Sequence, residues 1–426
     1  MTKYPTYKDS GIEWLGQIPT HWEMLKAKYM FQKNKREVQD GDKVITCFRD
    51  GQVTLRENRR TTGFTESITE IGYQGIRKGD LVIHQMDAFA GAIGVSDADG
   101  KGTSVYHCCT PKGEYLTYYY AHVIREMALK GYIQSLYRGI RERSSDFNYV
   151  TFGNCLLPVP SPSEQRQIVA YLDYKSNKIN ERICQREREL QTLSELKQAE
   201  IAAVVTRGLD PNVPMKKSGI EWLGKIPAHW EVRKIKNCLQ ERSEKGYPNE
   251  PILCATQSRG VIPQDMYDNR VVVVNKDFDK LKLVKCGDFV ISLRSFQGGI
   301  EYAYYQGIIS AAYTILTPKD KRNSEYFKHL FKSHDFIQLL QTCVTGIREG
   351  QNINYAMLAK HFIPIPPIEE QQKIVLYIKN RLYVIDEYIA KLKTEINYLQ
   401  EYKQRLISDV VTGKVDVRGV EIPNEE

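Results

Sequence analysis

The sequence lacks the features of secreted, membrane-spanning and zinc-binding proteins. Its first ten residues contain no apolar core of the kind that a signal peptide needs. No run approaches 18 apolar residues, so a membrane span is not expected. The nine cysteines are an odd number without a C-x-x-C pair, which argues against a disulfide framework and a zinc module. We therefore expect a cytoplasmic protein that does not contact a membrane.

Catalytic motifs are also missing. The nearest match to a phosphate-binding P-loop begins at Gly94, but it has one residue too many and places Gly102 where serine or threonine is required. Neither H-E-x-x-H nor G-x-S-x-G occurs. The eight histidines show no ligand spacing. We expect a protein that recognises another molecule or acts as a scaffold for other proteins. We expect it to have no catalytic residue, no metal and no cofactor of its own.

Tryptophan is scarce, and all four tryptophans fall in one repeated segment. Residues 10–23, SGIEWLGQIPTHWE, return as residues 218–231, SGIEWLGKIPAHWE, with twelve of fourteen positions identical. A segment that is nearly the same in both copies suits a task that the copies share. We predict that this task is to seat the indole rings against long helices or against a partner protein, and we assign partner docking to Trp14, Trp22, Trp222 and Trp230.

The repeat extends over the whole chain. The offset between matching segments drifts only from 208 to 206 residues, so the chain consists of two tandem copies. Such a period is too long for a solenoid repeat and predicts a domain with an attachment. Besides the tryptophan segment, the matching pairs are 79–83 with 287–291, 139–142 with 346–349, 157–172 with 363–378, and 204–206 with 410–412.

Each copy changes character at a proline cluster. Before the prolines, short β-rich runs alternate with turns and one helical piece, which predicts a compact α+β domain. After the prolines, about 42 residues without proline or glycine predict a helix of roughly 60 Å. The predicted boundaries are 1–162 for the first module, 163–207 for the first helix, 208–368 for the second module, 369–413 for the second helix and 414–426 for the tail.

Both long helices carry an apolar stripe that needs a partner. The stripe of the second helix follows a heptad pattern, and that of the first is less regular. Self-dimerisation is one solution, but the high effective concentration of a second helix in the same chain favours intramolecular antiparallel pairing. The residues assigned to pairing are Ile179, Ile183, Leu190, Leu193, Ile385, Ile389, Leu392, Ile396 and Leu399.

The positive charge of the chain lies in the modules. The net charge is +8, and each helix (164–205 and 369–412) has seven basic and seven acidic residues. Residues 1–163 carry +3 and residues 206–368 carry +7. This partition favours phosphate contact by the modules, although a merely basic domain would show it equally.

Arginine and glutamine are the candidate DNA-binding residues, because both can bond guanine or adenine edges bidentately. For a single arginine, a solvated surface position is the more common case. The GIRE tetrapeptide at 139–142 and 346–349 occupies the same place in both modules, but an Arg–Glu pair can also only lock a turn. The assigned residues are Arg56, Arg59, Arg60, Arg138, Arg141, Arg143, Arg259, Arg294, Gln297 and Arg348.

Three repeated motifs, taken together, resemble the specificity subunits of Type I restriction-modification systems. They are the W-L-G-x-I-P-x-x-W-E segments, the P-x-P-x-x-x-E-Q segments at 158–165 and 364–371, and the closing V-V-T segments. The resemblance covers essentially the whole chain. It implies an α+β fold with two target-recognition domains, separated by two long helices that pair as an antiparallel coiled coil with pseudo-twofold symmetry.

The resemblance also implies a function. Each module would recognise one half of a bipartite, asymmetric site in double-stranded DNA, and the helices would act as a spacer that docks two modification (methyltransferase) subunits. S-adenosylmethionine would belong to those subunits, and ATP and Mg to a restriction subunit where one joins. The alternatives are a coiled-coil scaffold that binds only proteins, and a self-contained nuclease or methyltransferase, which the motif search disfavours.

Overall fold

The computed structural model describes residues 2–59, 72–136, 147–267, 277–345 and 352–423. The chain divides into two compact units. Unit 1 comprises Met1–Gln185 with Glu395–Glu426, and unit 2 comprises Arg186–Thr394. Each unit therefore contains one module and a part of each long helix. The tail belongs to unit 1, where Val417 is fully buried and the backbone N–H of Asp416 donates to the carbonyl of Thr2 at 2.9 Å.

The first module and its helix contain twelve strands and five α-helices among the described residues. The strands are β1 Tyr7–Asp9, β2 Gln17–Pro19, β3 Glu23–Lys26, β4 Phe31–Asn34, β5 Ile45–Cys47, β6 Val53–Leu55, β7 Gln74–Ile76, β8 Leu81–His84, β9 Ile93–Val95, β10 Gly100–Gly102, β11 Tyr106–Pro111 and β12 Leu156–Val159. The helices are α1 Ala27–Met30, α2 Thr117–Leu129, α3 Tyr132–Ser135, α4 Tyr149–Asn154 and α5 Pro162–Arg207.

The second module repeats this order, and its described residues also include the hairpin β24-β25. The strands are β13 Met215–Lys217, β14 Lys225–Pro227, β15 Glu231–Lys234, β16 Leu239–Arg242, β17 Leu253–Thr256, β18 Gly260–Pro263, β19 Lys282–Val284, β20 Phe289–Ile291, β21 Glu301–Tyr302, β22 Gly307–Ile309, β23 Thr314–Pro318, β24 Val344–Thr345, β25 Asn352–Ile353 and β26 Phe362–Ile365. The helices are α6 Ile235–Cys238, α7 Ser295–Gly298, α8 Ser324–Leu330, α9 His334–Thr342, α10 Tyr355–Leu358 and α11 Ile368–Val411.

A four-stranded antiparallel sheet forms the centre of each module. Its order is β4-β11-β8-β9 in the first module and β16-β23-β20-β21 in the second. Two-stranded sheets surround it in matching pairs: β5-β6 corresponds to β17-β18, β7-β10 to β19-β22, and β3-β12 to β15-β26. The sequence repeat is thus a repeat of topology.

The central strands are apolar on both faces because both faces are covered. Successive side chains of a strand point to opposite faces. Leu81 and Ile83 belong to the main core with the helices, whereas Val82 between them belongs to a smaller core with β5 and β6. In unit 2, Phe289 and Val290 divide between two cores in the same way.

The repeated tryptophan segment folds into the same turn in both modules. The backbone N–H of Ser10 donates to the carbonyl of Gly16 at 3.0 Å, and that of Ser218 donates to Gly224 at 2.9 Å. Gly16 and Gly224 have φ angles of 68° and 64°, a left-handed region in which a side chain would be strained. The glycines of the motif are therefore required by backbone geometry.

The long helices are observed within two residues of their predicted bounds, 163–207 and 369–413. They run antiparallel in each unit. In unit 1, Lys403 Nζ donates to Asn180 Oδ1 at 2.8 Å, and Arg182 lies 3.4 Å from Glu395. In unit 2, Arg381 pairs with Glu200 at 3.0 Å. Residues with higher numbers in α5 contact residues with lower numbers in α11, as antiparallel helices require.

The apolar stripes lie along this contact. Ile179, Ile385, Leu392 and Ile396 are buried, and the other assigned pairing residues, Ile183, Leu190, Leu193, Ile389 and Leu399, are half-buried. The polar contacts between the helices involve partly exposed groups and add little stability. Burial of the stripe therefore holds the pair, and the stripe finds its partner within the chain.

None of the helices, over the described residues, is long and apolar enough to cross a membrane.

We predict that Leu392→Ala destabilises unit 2 by about 2–4 kcal/mol, because the residue is 2% exposed and its loss leaves a cavity. Leu376→Ala, on the same helix but at a 58% exposed position, is the matched control and should change stability by at most about 0.5 kcal/mol. Urea denaturation measures both. Equal effects of the two substitutions would show that the stripe does not hold the helices together.

Candidate nucleic-acid interface

Half of the predicted DNA-binding residues lie in segments that the structure describes. These are Arg56, Arg59, Arg259, Arg294 and Gln297. The other five lie outside the described residues: Arg60, Arg138, Arg141, Arg143 and Arg348.

In unit 2 the first of two candidate loops is the turn between β17 and β18, residues 257–259, here called the hairpin loop of unit 2. Thr256 stabilises it, because its Oγ1 accepts from the backbone N–H of Arg259 at 3.0 Å and donates to the carbonyl of Gly260 at 2.9 Å. Gly260 has a φ of 74°, which suits a tight turn. The exposed Arg259 donates Nη1 to the carbonyl of Met266 at 3.0 Å.

The second candidate loop of unit 2 follows β20 and comprises residues 292–299, here called the sheet loop of unit 2. Ser295 is 1% exposed, and its Oγ accepts a hydrogen bond from the backbone N–H of Ser292 at 2.9 Å. This bond fixes the start of α7. Arg294 and Gln297 of this loop are exposed. The loop thus combines a buried anchor, Ser295, with two exposed side chains that can donate hydrogen bonds to DNA.

The structure brings Arg259 and Gln297 to one open cavity of about 600 Å³. Sequence reasoning missed three other residues of its lining. The rings of Tyr302 and Tyr304 lie 5.0 Å apart, and Lys328 Nζ lies 5.2 and 5.0 Å from their centroids. The aromatic run at 302–305 is a signal for the tyrosines, whereas nothing in the sequence distinguishes Lys328 from other lysines. The combination of guanidinium, amide, ammonium and aromatic groups suits phosphate and base edges.

Unit 1 has the corresponding loops. Its hairpin loop, residues 48–52, joins β5 to β6, and its sheet loop, residues 85–92, joins β8 to β9. Arg59 reaches the hairpin loop, since Nη1 donates to Asp50 Oδ2 at 2.7 Å and its guanidinium lies 4.3 Å from the Phe48 ring centroid. Arg56 is half-buried at the start of a short 3₁₀ helix. The exposed Arg49, which the sequence analysis did not single out, donates to Asp87 Oδ1 of the sheet loop at 2.9 Å.

Two of the four tryptophans cannot dock a partner. Trp22 and Trp230 are fully buried inside the chain, so their indole rings have no surface to offer, and the assignment of partner docking to them is wrong. Trp14 is 9% exposed and packs at 6.1 Å from the ring of Tyr132, and the half-buried Trp222 lies 5.8 Å from the ring of Phe336. Docking by Trp14 and Trp222 stays a prediction.

Trp22 contacts the start of a long helix, which was the alternative role considered for it. Its Nε1 donates to Glu164 Oε1 at 3.1 Å. The same carboxylate accepts from Tyr4 Oη at 2.6 Å, and its second oxygen lies 3.0 Å from His21 Nε2. In unit 2, His229 Nε2 lies 2.6 Å from Glu370 Oε2. The W-L-G-x-I-P-x-x-W-E segment and the P-x-P-x-x-x-E-Q segment are therefore in contact in both units.

A buried ion pair lies beneath the loops of unit 2. Lys332 Nζ lies 2.6 Å from Glu301 Oε1, and Glu301 Oε2 has no hydrogen-bond partner among the described residues. Burial raises the pKa of Glu301 to about 7, although Lys332 acts in the opposite direction. Burial also lowers the pKa of His329, in the same cavity lining, to about 4, so its imidazole is neutral at pH 7.

This raised pKa predicts a pH-dependent stability. The folded state binds the proton of Glu301 more tightly than the unfolded state does. Protonated Glu301 therefore adds to the free energy of unfolding below the ordinary carboxyl pKa, and this contribution is lost as the pH rises to about 7. We expect Glu301→Gln to remove about 2 kcal/mol of that pH dependence, measured by urea denaturation from pH 5 to pH 8. The exposed Glu369→Gln is the control, and an unchanged profile for Glu301→Gln would contradict the assignment.

Metal binding finds no support in the residues that the structure covers, since no group of three or more His, Cys, Asp or Glu side chains among them could hold an ion. His122 of unit 1 is half-buried, and desolvation lowers its pKa to about 4. It corresponds in position to His329, and each of the two histidines lines an open cavity of its own unit.

Comparison with known proteins finds a family model that matches much of the second module and of the second long helix. The family model of the Type I restriction modification DNA specificity domain matches residues 227–398. Over 95% of its length the chain is 23% identical to 96% of a Methanocaldococcus jannaschii protein named as the MjaX specificity subunit of a type I restriction enzyme. Over 62% of its length it is 24% identical to 59% of the Escherichia coli type I restriction enzyme EcoBI specificity subunit.

The fold is shared with a solved structure. A chain from a study of complex assembly and conformational transition in the type I R-M system matches 93% of this chain with 99% of its own length, at a TM-score of 0.64 and 15% sequence identity. At that identity the match shows the fold. The predicted two-module α+β architecture with paired long helices is confirmed, and so is the resemblance drawn from the repeated motifs.

Proposed function

We propose that this chain, a non-catalytic DNA-recognition subunit of the type I restriction-modification family, binds a bipartite, asymmetric site in double-stranded DNA through its two modules. Each module recognises one half-site with its hairpin loop and its sheet loop. The chain also docks two adenine-methyltransferase subunits, and a restriction subunit can join the complex.

One observation carries the proposal: the frame of the two modules is the same, and the loops differ. The tryptophan turns, the central sheets and the contacts to the helix starts repeat in both units. The hairpin loops carry Asp50-Gly51-Gln52 in one unit and Gln257-Ser258-Arg259 at the corresponding positions of the other. Groups that contact base edges determine sequence preference. Two modules with one frame and different loops suit two different half-sites.

The repeated frame also supports two identical partners. Each unit presents the start of one long helix and the end of the other beside one tryptophan turn. Equivalent surfaces bind equivalent subunits. S-adenosylmethionine is assigned to the methyltransferase subunits, and ATP and Mg to the restriction subunit, in line with the absence of a catalytic motif from this sequence.

The first prediction from this function concerns whole modules. Replacing residues 20–157 by the corresponding part of a relative with a different target should change one half-site and leave the other intact, because the loops of unit 1 lie within that segment. Genome-wide mapping of methylated adenines, with and without the chain, gives both half-sites. A simultaneous change of both half-sites would contradict recognition of one half-site by one module.

The second prediction concerns single side chains. Arg294→Ala and Gln297→Ala should each weaken discrimination at the half-site of unit 2 about tenfold, which corresponds to a base contact of about 1–3 kcal/mol. Competition binding with duplexes that carry single base changes measures this. The control is Arg322→Ala, an exposed arginine of the same unit whose Nη2 lies 2.8 Å from Asp320.

Two outcomes would count against the proposal. If the alanine variants at positions 294 and 297 behave like the control, the sheet loop does not contact bases. If binding by the assembled wild-type complex varies with salt and not with base sequence, the chain is a scaffold with general affinity for nucleic acid.

A further inference from the structure

One basic side chain contacts the backbone of the recognition loops in unit 2. Lys332, between α8 and α9, donates Nζ to the carbonyl of Gln257 at 3.2 Å and to the carbonyl of Gly298 at 2.8 Å. Gln257 belongs to the hairpin loop and Gly298 to the sheet loop. A single ammonium group thus joins the two loops whose exposed side chains are proposed to contact DNA.

Unit 1 has a basic side chain at the corresponding place. Arg125, in α2, donates Nη1 to the carbonyl of Asp50 and Nη2 to that of Arg49 at 3.3 Å, both in the hairpin loop. It also packs against the sheet loop, because a Cβ on Gly91 would lie 3.4 Å from Arg125 Nη2. Asp50 and Gly91 precede Gln257 and Gly298 by the same 207 residues that separate Arg125 from Lys332.

Equivalent tyrosines anchor the helices that contain or precede the two basic residues, α2 for Arg125 and α8 for Lys332. Tyr119 Oη donates to the carbonyl of Val411 at 3.1 Å, and Tyr326 Oη donates to that of Val205 at 2.7 Å. Both tyrosines are fully buried. Each basic residue follows its tyrosine by six positions. Each basic residue that contacts the loops is therefore six positions from a tyrosine that is hydrogen-bonded to the end of a long helix.

Neutralisation of a buried carboxylate does not explain the shared position. The partner of Lys332 is Glu301, which pairs with Val290 in the central sheet. The residue at the same register in unit 1, opposite Val82, is Gly94. Unit 1 has no carboxylate there, and Arg125 still contacts the loop carbonyls. The feature common to both units is the contact between a cation and the loop backbone.

Such a contact prepares the loops for binding. A hydrogen bond from a charged donor is stronger than a neutral one. Loops that are already ordered lose less conformational entropy when they bind, and their side chains keep a fixed spacing. Loss of the cation would leave the exposed side chains in place but would free the two loops to move relative to each other.

We propose that Arg125 and Lys332 are positioning residues for sequence discrimination, each acting on the hairpin loop and the sheet loop of its own module and so on one half-site only. This inference rests on the proposed function. It assigns specificity to two side chains that are themselves half-buried beneath the loops.

The test uses the full chain assembled with its methyltransferase subunits. The variants are Arg125→Met, Lys332→Met and Lys332→Met combined with Glu301→Gln, which avoids an unpaired buried carboxylate. The conservative variants Arg125→Lys and Lys332→Arg are the rescue controls. Competition binding with duplexes altered in either half-site gives discrimination, and thermal melting shows that each variant is folded.

The expected result is a fall in discrimination of about tenfold at the half-site of the altered module, with no change at the other half-site and substantial recovery in the conservative variants. The dependence of binding on salt should stay as in the wild type, because neither residue is proposed to contact phosphate.

Unchanged discrimination in Arg125→Met, or an equal fall at both half-sites, would overturn the inference. A weaker salt dependence in the methionine variants would also overturn it, because it would show direct phosphate contact. If Lys332→Met does not fold, Arg125→Met decides, since the buried Glu126 beside it keeps Lys130 and Ser408 as partners. A wild-type complex that discriminates no duplex would refute the proposed function instead, which separates the two failures.

Discussion

The burial of one glutamate at the start of α5 is the constraint on which unit 1 depends. Glu164 is 3% exposed, and the hydroxyl of Tyr4, the indole N–H of Trp22 and the ring of His21 surround its carboxylate. A carboxylate in the first turn of a helix is stabilised by the helix dipole, and these partners satisfy its oxygens. The first residues of the chain, the tryptophan turn and the helix are therefore joined at one point, and loss of any partner would leave a buried polar group unpaired at a cost of about 1–3 kcal/mol.

Unit 2 reaches the same arrangement with fewer polar contacts. Glu370 lies beside His229, but the indole N–H of Trp230 has no hydrogen-bond partner among the described residues. Close packing takes its place, because a Cβ on Gly208 would lie 3.0 Å from the Glu370 carboxylate and 3.3 Å from the Trp230 ring. Gly413 has this position beside Trp22 in unit 1, and both glycines follow the end of a long helix with a positive φ. The end of one helix, the start of the other and a tryptophan turn thus meet in each unit, so each module is packed against both long helices.

The sequence predicted the features that depend on local pattern or on the repeat. Proline clusters and long stretches without glycine gave the helices to within two residues, and the repeat gave the matching topology of the modules. It misassigned Trp22 and Trp230 because identity between copies shows a shared role but not whether a side chain is buried. It missed Arg125 and Lys332 for the opposite reason. Both donate to the backbone carbonyls of the loops, but one is an arginine and the other a lysine, so the repeat does not match them. Arg49 and the Tyr302–Tyr304 pair were missed because their placement depends on how loops distant in sequence come together.

The same comparison shows that the two units differ in what lies beneath their loops. In unit 1 a Cβ at Gly94 would overlap the carbonyl oxygen of Gly51, so the hairpin loop lies directly on the central sheet. In unit 2 the equivalent position is Glu301, whose side chain and Lys332 occupy the space beneath the loops. The support beneath the loops therefore differs between the units, although the order of the central sheets is the same. Because base recognition depends on where donors and acceptors lie as well as on what they are, we expect under the proposed function that a change at this buried position alters specificity without any change in the exposed residues.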